Sequence, residues 1–179
     1  MNSRISENLK ATLEKAERYV LVGLSSAVAF AVLSLPEAQT GGPGEGVKWT
    51  LLGFSLNFDP RLALLMLYVL YFFSCLFADN MLLHVEDLVQ RLNDSVEVRA
   101  ILTYPTILTV SPIGQFVVTV IPAVLICLGL AKSHYSGIFE LPQFVWWVAY
   151  GFGGLLGVEV YVRVRQCIAP HLKDIQTEA

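Results

Sequence analysis

One formal charge, Glu159, lies inside the long apolar segments of this chain. Arg163 follows it four residues later, so the two side chains share a face if this segment is helical. A carboxylate in apolar surroundings is costly and is often functional, which makes this pair a candidate ion or proton site. The alternative is an ion pair at a helix end, and the sequence favours it because Glu159 lies near the end of its apolar run.

A second group of polar side chains follows the second apolar run, between Asp79 and Arg91. On a helix, His84, Asp87 and Arg91 share one face, whereas Glu86 points elsewhere. Because no second histidine is near in sequence, we interpret this face as a polar edge that meets solvent or a partner, with no metal site.

The sequence contains no phosphate-binding glycine loop, no ordered serine–histidine–aspartate set and no zinc-ligand quartet. We therefore predict no catalytic residue and no cofactor. A basic patch of the size that nucleic acids require is also missing, so we expect no direct nucleic-acid binding.

Of the 179 residues, 55% are hydrophobic, and these cluster into four apolar runs of about 17 to 19 residues each. The structure that these runs form must position the polar groups. About 20 apolar residues cross ~30 Å of hydrocarbon, and slightly shorter runs are accommodated. The sequence predicts an all-α polytopic membrane protein, a single membrane domain over 1–179. Its four transmembrane helices are predicted at 19–35, 62–78, 113–131 and 144–162.

The remaining segments are expected to form a cytoplasmic helix over 1–18, an outer loop over 36–61, a cytoplasmic helix and interfacial segment over 79–112, and a cytoplasmic tail over 163–179. Pro112 separates the third run from the segment before it and favours a helix start. Pro122 lies inside the third run and predicts a kink.

Within the outer loop, residues 47–58 are β-prone, because apolar and polar residues alternate there. A short hairpin is predicted. Its aromatic residues Trp49, Phe54 and Phe58 are candidates for outer-loop recognition, with a lid resting on the lipid interface as the alternative.

Basic residues set the orientation. Nine of them lie in the two terminal segments and the loop between spans two and three: Arg4, Lys10, Lys15, Arg18, Arg91, Arg99, Arg163, Arg165 and Lys173. Three lie in the other two loops: Lys48, Arg61 and Lys132. The positive-inside rule therefore predicts a multi-pass protein of the inner membrane with both termini in the cytoplasm.

Small residues recur at four-residue spacing in two spans, which permits close approach of helix backbones. Gly23 and Ala27 do so in the first span, and Ala149, Gly153 and Gly157 do so in the fourth. We predict that these are helix-packing faces, and that the chain forms a homo-oligomer through them in the lipid.

Span two is predicted to continue as a helix into the cytoplasm. Beyond it, apolar residues recur at alternating steps of three and four residues and form a seam that needs an apolar partner in this chain or another subunit. This seam comprises Leu82, Val85, Val89, Leu92 and Val96. We hypothesise that it docks a neighbouring subunit or a soluble cytoplasmic protein, with His84, Asp87 and Arg91 setting specificity at its edge.

In span layout the chain resembles the small four-span membrane subunits of bacterial anti-phage defence systems, such as the membrane component of the Kiwa system, and also four-span immunity proteins. The resemblance implies envelope sensing outside and recruitment of an effector inside. The unpaired seam beyond span two, the charged N-terminal helix and the aromatic outer loop support a non-enzymatic scaffold or sensor as the leading hypothesis. The alternatives are an oligomeric ion-conducting pore or membrane-depolarising effector, a four-span immunity protein, and an integral membrane enzyme.

Overall fold

Four long helices and one short hairpin make up the described part of the computed structural model. The model describes residues 2–35, 47–51, 54–92, 98, 101, 108, 112–135, 139 and 141–176. In chain order the elements are α1 (Asn2–Leu33), β1 (Val47–Leu51), β2 (Phe54–Phe58), α2 (Pro60–Arg91), α3 (Pro112–Tyr135) and α4 (Gln143–Gln176). All four helices are long and apolar enough to cross a membrane, so the all-α multi-pass prediction is confirmed.

The helix α1 is continuous through the boundary between charged and apolar sequence. It has 32 residues and is therefore about 48 Å long, well beyond the ~30 Å of hydrocarbon. Its charged first half must then project out of the membrane as a direct extension of the first span.

The helix α2 has the same length and lies antiparallel to α1. Asp59 caps its start by accepting a hydrogen bond from the backbone N–H of Arg61 at 2.9 Å, and Pro60 occupies the first turn, where a missing N–H costs nothing. The rings of Tyr19 and Phe77 stack at 5.4 Å between the two helices. The helical extension predicted beyond the second span is thus present, up to Arg91.

The helix α3 starts at Pro112, as the sequence predicts, and Pro122 lies inside it. The helix α4 continues beyond its apolar run to Gln176, so much of the predicted tail is helical. It packs on α3 and α2, and α1 packs on α2 and α3, which makes a four-helix bundle.

The segment between α1 and α2 contains the predicted hairpin. The strands β1 and β2 pair antiparallel, with Val47 opposite Phe58 and Leu51 opposite Phe54. The side chains of the predicted recognition residues Trp49, Phe54 and Phe58 lie outside the described part of the structure, as does Gly53.

Candidate functional site

The apolar seam of α2 is covered by the same chain, which corrects its assignment as a docking surface for another subunit. Leu82 and Val85 are 0% exposed and Leu92 is 6% exposed, while Val89 is half-buried. They belong to one core cluster with the apolar residues of the first half of α1, which are Leu9, Leu13 and Ala16. Val96 lies outside the described residues.

The physical reason is the length of α1. Because its charged half continues straight out of the membrane beside α2, its own apolar stripe meets the seam and removes it from water. The sequence signal for this pairing is present at Leu9, Leu13 and Ala16, which recur at helical spacing. We call the two projecting halves the cytoplasmic helix pair, after the side of the membrane that the sequence predicts for them.

The polar edge of the cytoplasmic helix pair stays exposed. His84 is exposed, and the Asp87 carboxylate pairs with the Arg91 guanidinium at 2.9 Å. These two side chains are 57% and 67% exposed, so the pair adds little to stability. It instead presents fixed charge at the surface.

A groove of about 290 Å³ lies between the two helices at this edge. Polar side chains from both helices line it, together with Ala11 and Leu88: they are Asn8, Thr12, Lys15, His84 and Asp87. We call this the interhelical groove. It joins two predicted docking residues, His84 and Asp87, with α1 residues that the sequence did not single out.

The predicted packing glycines lie against the chain's own helices. A Cβ added at Gly157 would lie 2.6 Å from the Cβ of Ala123 on α3, and one added at Gly153 would lie 2.9 Å from the Cγ2 of Ile126. Neither contact leaves room for a side chain. Their predicted helix packing therefore takes place within the chain, since α3 occupies their face.

The small residues of the first span are also used within the chain. Gly23 faces Ser74 and Tyr71 of α2, at 3.6 and 3.9 Å from an added Cβ. Ala27 is 0% exposed. The packing role predicted for both residues therefore takes place inside one bundle.

Two tyrosines that the sequence did not single out connect α2 to α4. The hydroxyl of Tyr71 donates to the carbonyl oxygen of Gly153 at 2.9 Å, and that of Tyr68 donates to the carbonyl oxygen of Ala149 at 2.8 Å. A buried hydroxyl needs such an acceptor, and small residues leave their carbonyls accessible. The sequence signal that could have predicted these hydrogen bonds was the presence of two tyrosines, Tyr68 and Tyr71, within an apolar span.

Arg163 does not pair with Glu159, which corrects the predicted helix-end pair. Its Nε instead donates to Oδ1 of Asp79 on α2 at 3.1 Å, with both side chains about one-quarter exposed or less. Asp79 and Arg163 each directly follow an apolar run, and this shared position was the signal for their pairing that the sequence contained. Glu159 is exposed on the outside of the bundle.

The bundle interior holds a cavity of about 10 Å³, roughly the space that one water molecule needs. It is lined mostly by apolar groups, with the side chains of Tyr71, Cys75 and Thr119 among its walls. At this size the cavity cannot serve as a continuous path across a single chain.

The start of α3 carries a fully buried amide. The Nε2 of Gln115 donates to the carbonyl oxygen of Leu108 at 2.7 Å, and the Thr119 hydroxyl donates to the Gln115 carbonyl at 2.6 Å. The first bond fastens Leu108 to the start of α3, and the second lies within α3 itself. Among the described side chains, no group of three metal-ligating residues comes together.

No protein-family model, no curated protein and no solved structure matches this chain. The geometry of the described residues is therefore the basis on which function can be argued.

Proposed function

We propose that this chain is a non-enzymatic membrane scaffold that binds a soluble cytoplasmic protein at the interhelical groove. The observation that carries the proposal is the cytoplasmic helix pair itself. Its buried seam fixes two helices as one rigid body, and its exposed edge combines a groove with charged side chains of both signs. Rigid elements that carry a few polar groups in a concave surface are suited to specific binding.

The proposal includes the orientation, with both termini in the cytoplasm of a cell with an inner membrane. The asymmetry of nine basic residues against three supports it. A fusion of alkaline phosphatase at Ala179 should be inactive, whereas a fluorescent-protein fusion there should fluoresce. Phosphatase activity at Ala179 would place the groove on the wrong side of the membrane for a cytoplasmic partner.

Docking is tested with a photo-crosslinking amino acid at Thr12, which lines the groove, and at Val69, which lies on the exposed apolar face of α2. In native membranes, the Thr12 position should give an adduct with a soluble protein, and the Val69 position should not. Adducts with lipid alone at both positions would refute the proposal.

Specificity is tested by filling the groove. Ala11 is exposed and lines it, so Ala11→Trp should block the adduct without disturbing the core. Glu14 is an exposed α1 residue outside the groove lining, and Glu14→Trp is the matched control. Equal crosslinking in both variants would remove the groove as the binding site.

The alternative remains an ion-conducting pore formed by several copies, since the cavity described above has room for only about one water molecule. A role in anti-phage defence, and recognition by the outer loop, stay predictions that follow from the resemblance in span layout.

A further inference from the structure

The face of α4 that points away from the bundle carries an apolar stripe interrupted by one carboxylate. Its members follow each other at alternating steps of four and three residues, and all are exposed: Val148, Phe152, Leu155, Glu159, Val162 and Gln166. We call this the lateral stripe. Such spacing allows two helices to pack side by side over several turns.

Glu159 has no cation paired with it in the part of the chain that the structure describes. Arg163, one turn further along α4, donates to Asp79 instead. Among the described residues, Glu159 forms no hydrogen bond or ion pair. Arg163 is therefore bound to Asp79 of α2, and the Glu159 carboxylate stays on the lipid-facing surface.

The depth of Glu159 makes this arrangement costly in a single copy. It lies four residues, or about 6 Å, nearer the membrane centre than Arg163. A carboxylate facing hydrocarbon needs a polar partner at its own depth. The exposed faces of α2 and α3 carry apolar residues near that depth, Leu76 and Val117, so the need for a polar partner arises on α4.

We propose that the lateral stripe binds a second copy of this chain, with Glu159 at the centre of the contact. All copies insert in the same orientation, so a two-fold axis along the membrane normal places each residue opposite itself, at equal depth. One carboxyl of the Glu159 pair keeps its proton and donates its O–H to the carboxylate of the other.

Two further features suit a parallel contact. Gln166 also lies on the stripe, and its amide can both donate to and accept from the same residue of a second copy. A polar residue within an apolar seam fixes the register of paired helices, because any slip leaves it unpaired. The faces of Gly153 and Gly157 on α4, in contrast, are already covered by α3.

The test measures energy transfer between donor-labelled and acceptor-labelled protein in liposomes at increasing lipid-to-protein ratios. Wild-type protein should associate, and Glu159→Gln should retain association because an amide forms the same hydrogen bonds. Glu159→Leu should weaken association about tenfold, as expected for loss of interhelical hydrogen bonds in lipid. Val124→Leu, on the exposed face of α3, is the matched control and should change nothing.

A charge swap tests the symmetry. Glu159→Lys alone should not associate, since two ammonium groups would meet, but a mixture of Glu159→Lys and wild-type protein should associate at least as tightly as wild type. A monomeric wild type, a Glu159→Leu variant that associates normally, or a failure of the mixture would each overturn the proposal. The purified protein needs no cytoplasmic partner here, so the result is independent of the groove.

Discussion

The cytoplasmic helix pair and the lateral stripe of α4 have the same sequence pattern, but the apolar side chains are buried in the pair and exposed on the stripe. In both, side chains recur at alternating steps of three and four residues. In the pair, Leu82 and Val85 are 0% exposed because α1 covers them, whereas on the stripe Leu155 is 70% exposed. The lesson is that the surroundings decide what the pattern means. In water an apolar seam must be covered, while in lipid an apolar face is already solvated.

The largest expected effect is in the seam. Leu82→Asp places a carboxylate where the side chain has no exposure, and it should destabilise the cytoplasmic helix pair by several kcal/mol, about 3 or more. Leu83→Asp is the matched control, since Leu83 is 41% exposed, and it should cost less than about 1 kcal/mol. Hydrogen exchange of the α1 backbone measures both, and equal protection in the two variants would show that α1 does not cover the seam.

The next effect distinguishes a glycine of α4 that packs on α3 from one that faces open space. Gly157→Leu should destabilise the bundle by about 1–3 kcal/mol, because its Cβ would overlap Ala123 and the space cannot expand freely. Gly151→Leu is the control, as nothing lies within 4 Å of an added Cβ there. Thermal unfolding in detergent reports the difference. If Gly157→Leu melted like wild type, close packing of α3 on α4 would be disproved.

A smaller effect distinguishes two acidic side chains, Asp79 and Glu159, which lie near the ends of the second and fourth apolar runs. Arg163→Gln should destabilise the α2–α4 contact by about 1 kcal/mol, because it removes a partly exposed ion pair and leaves Asp79 without its cation. Glu159→Gln should leave the stability of the single chain unchanged or slightly higher, since Glu159 has no partner among the described residues. Chemical denaturation of dilute protein in detergent compares them. A larger loss for Glu159→Gln would mean that Glu159 supports the bundle.

The smallest effect concerns the tyrosine that links α2 and α4. Tyr71→Phe removes one hydrogen bond to the Gly153 carbonyl and should cost about 0.6 kcal/mol, the average for interhelical hydrogen bonds in membranes. Phe72→Leu, at a half-buried neighbouring position, controls for changes in ring packing. Unfolding measured as for Arg163→Gln should show the loss, and its absence would mean that the hydroxyl finds another acceptor.

Much of the fold could be predicted because it depends on local chemistry. The four spans follow from apolar runs, the start of α3 follows from Pro112, and the hairpin follows from alternation over 47–58. The candidate site was predicted less well. The sequence identified His84 and Asp87 but omitted Asn8, Thr12 and Lys15, which complete the groove from 70 or so residues away in the chain. Pairings over such distances depend on the direction in which each helix leaves the membrane, which no local pattern specifies.

The sequence by itself determined that this chain crosses a membrane with four helices, because the cost of exposing apolar runs to water depends only on their length and composition. Tertiary structure alone decided which side chains and helices contact each other within the bundle. Arg163 had Glu159 at helical spacing and Asp79 on another helix, and the bundle brought Asp79 within 3.1 Å. The seam of α2 could have met any apolar surface, and it met α1 because that helix continues out of the bilayer beside it. Each choice reflects which side chains the packed helices place at the same depth, and that depth is a property of the assembled bundle.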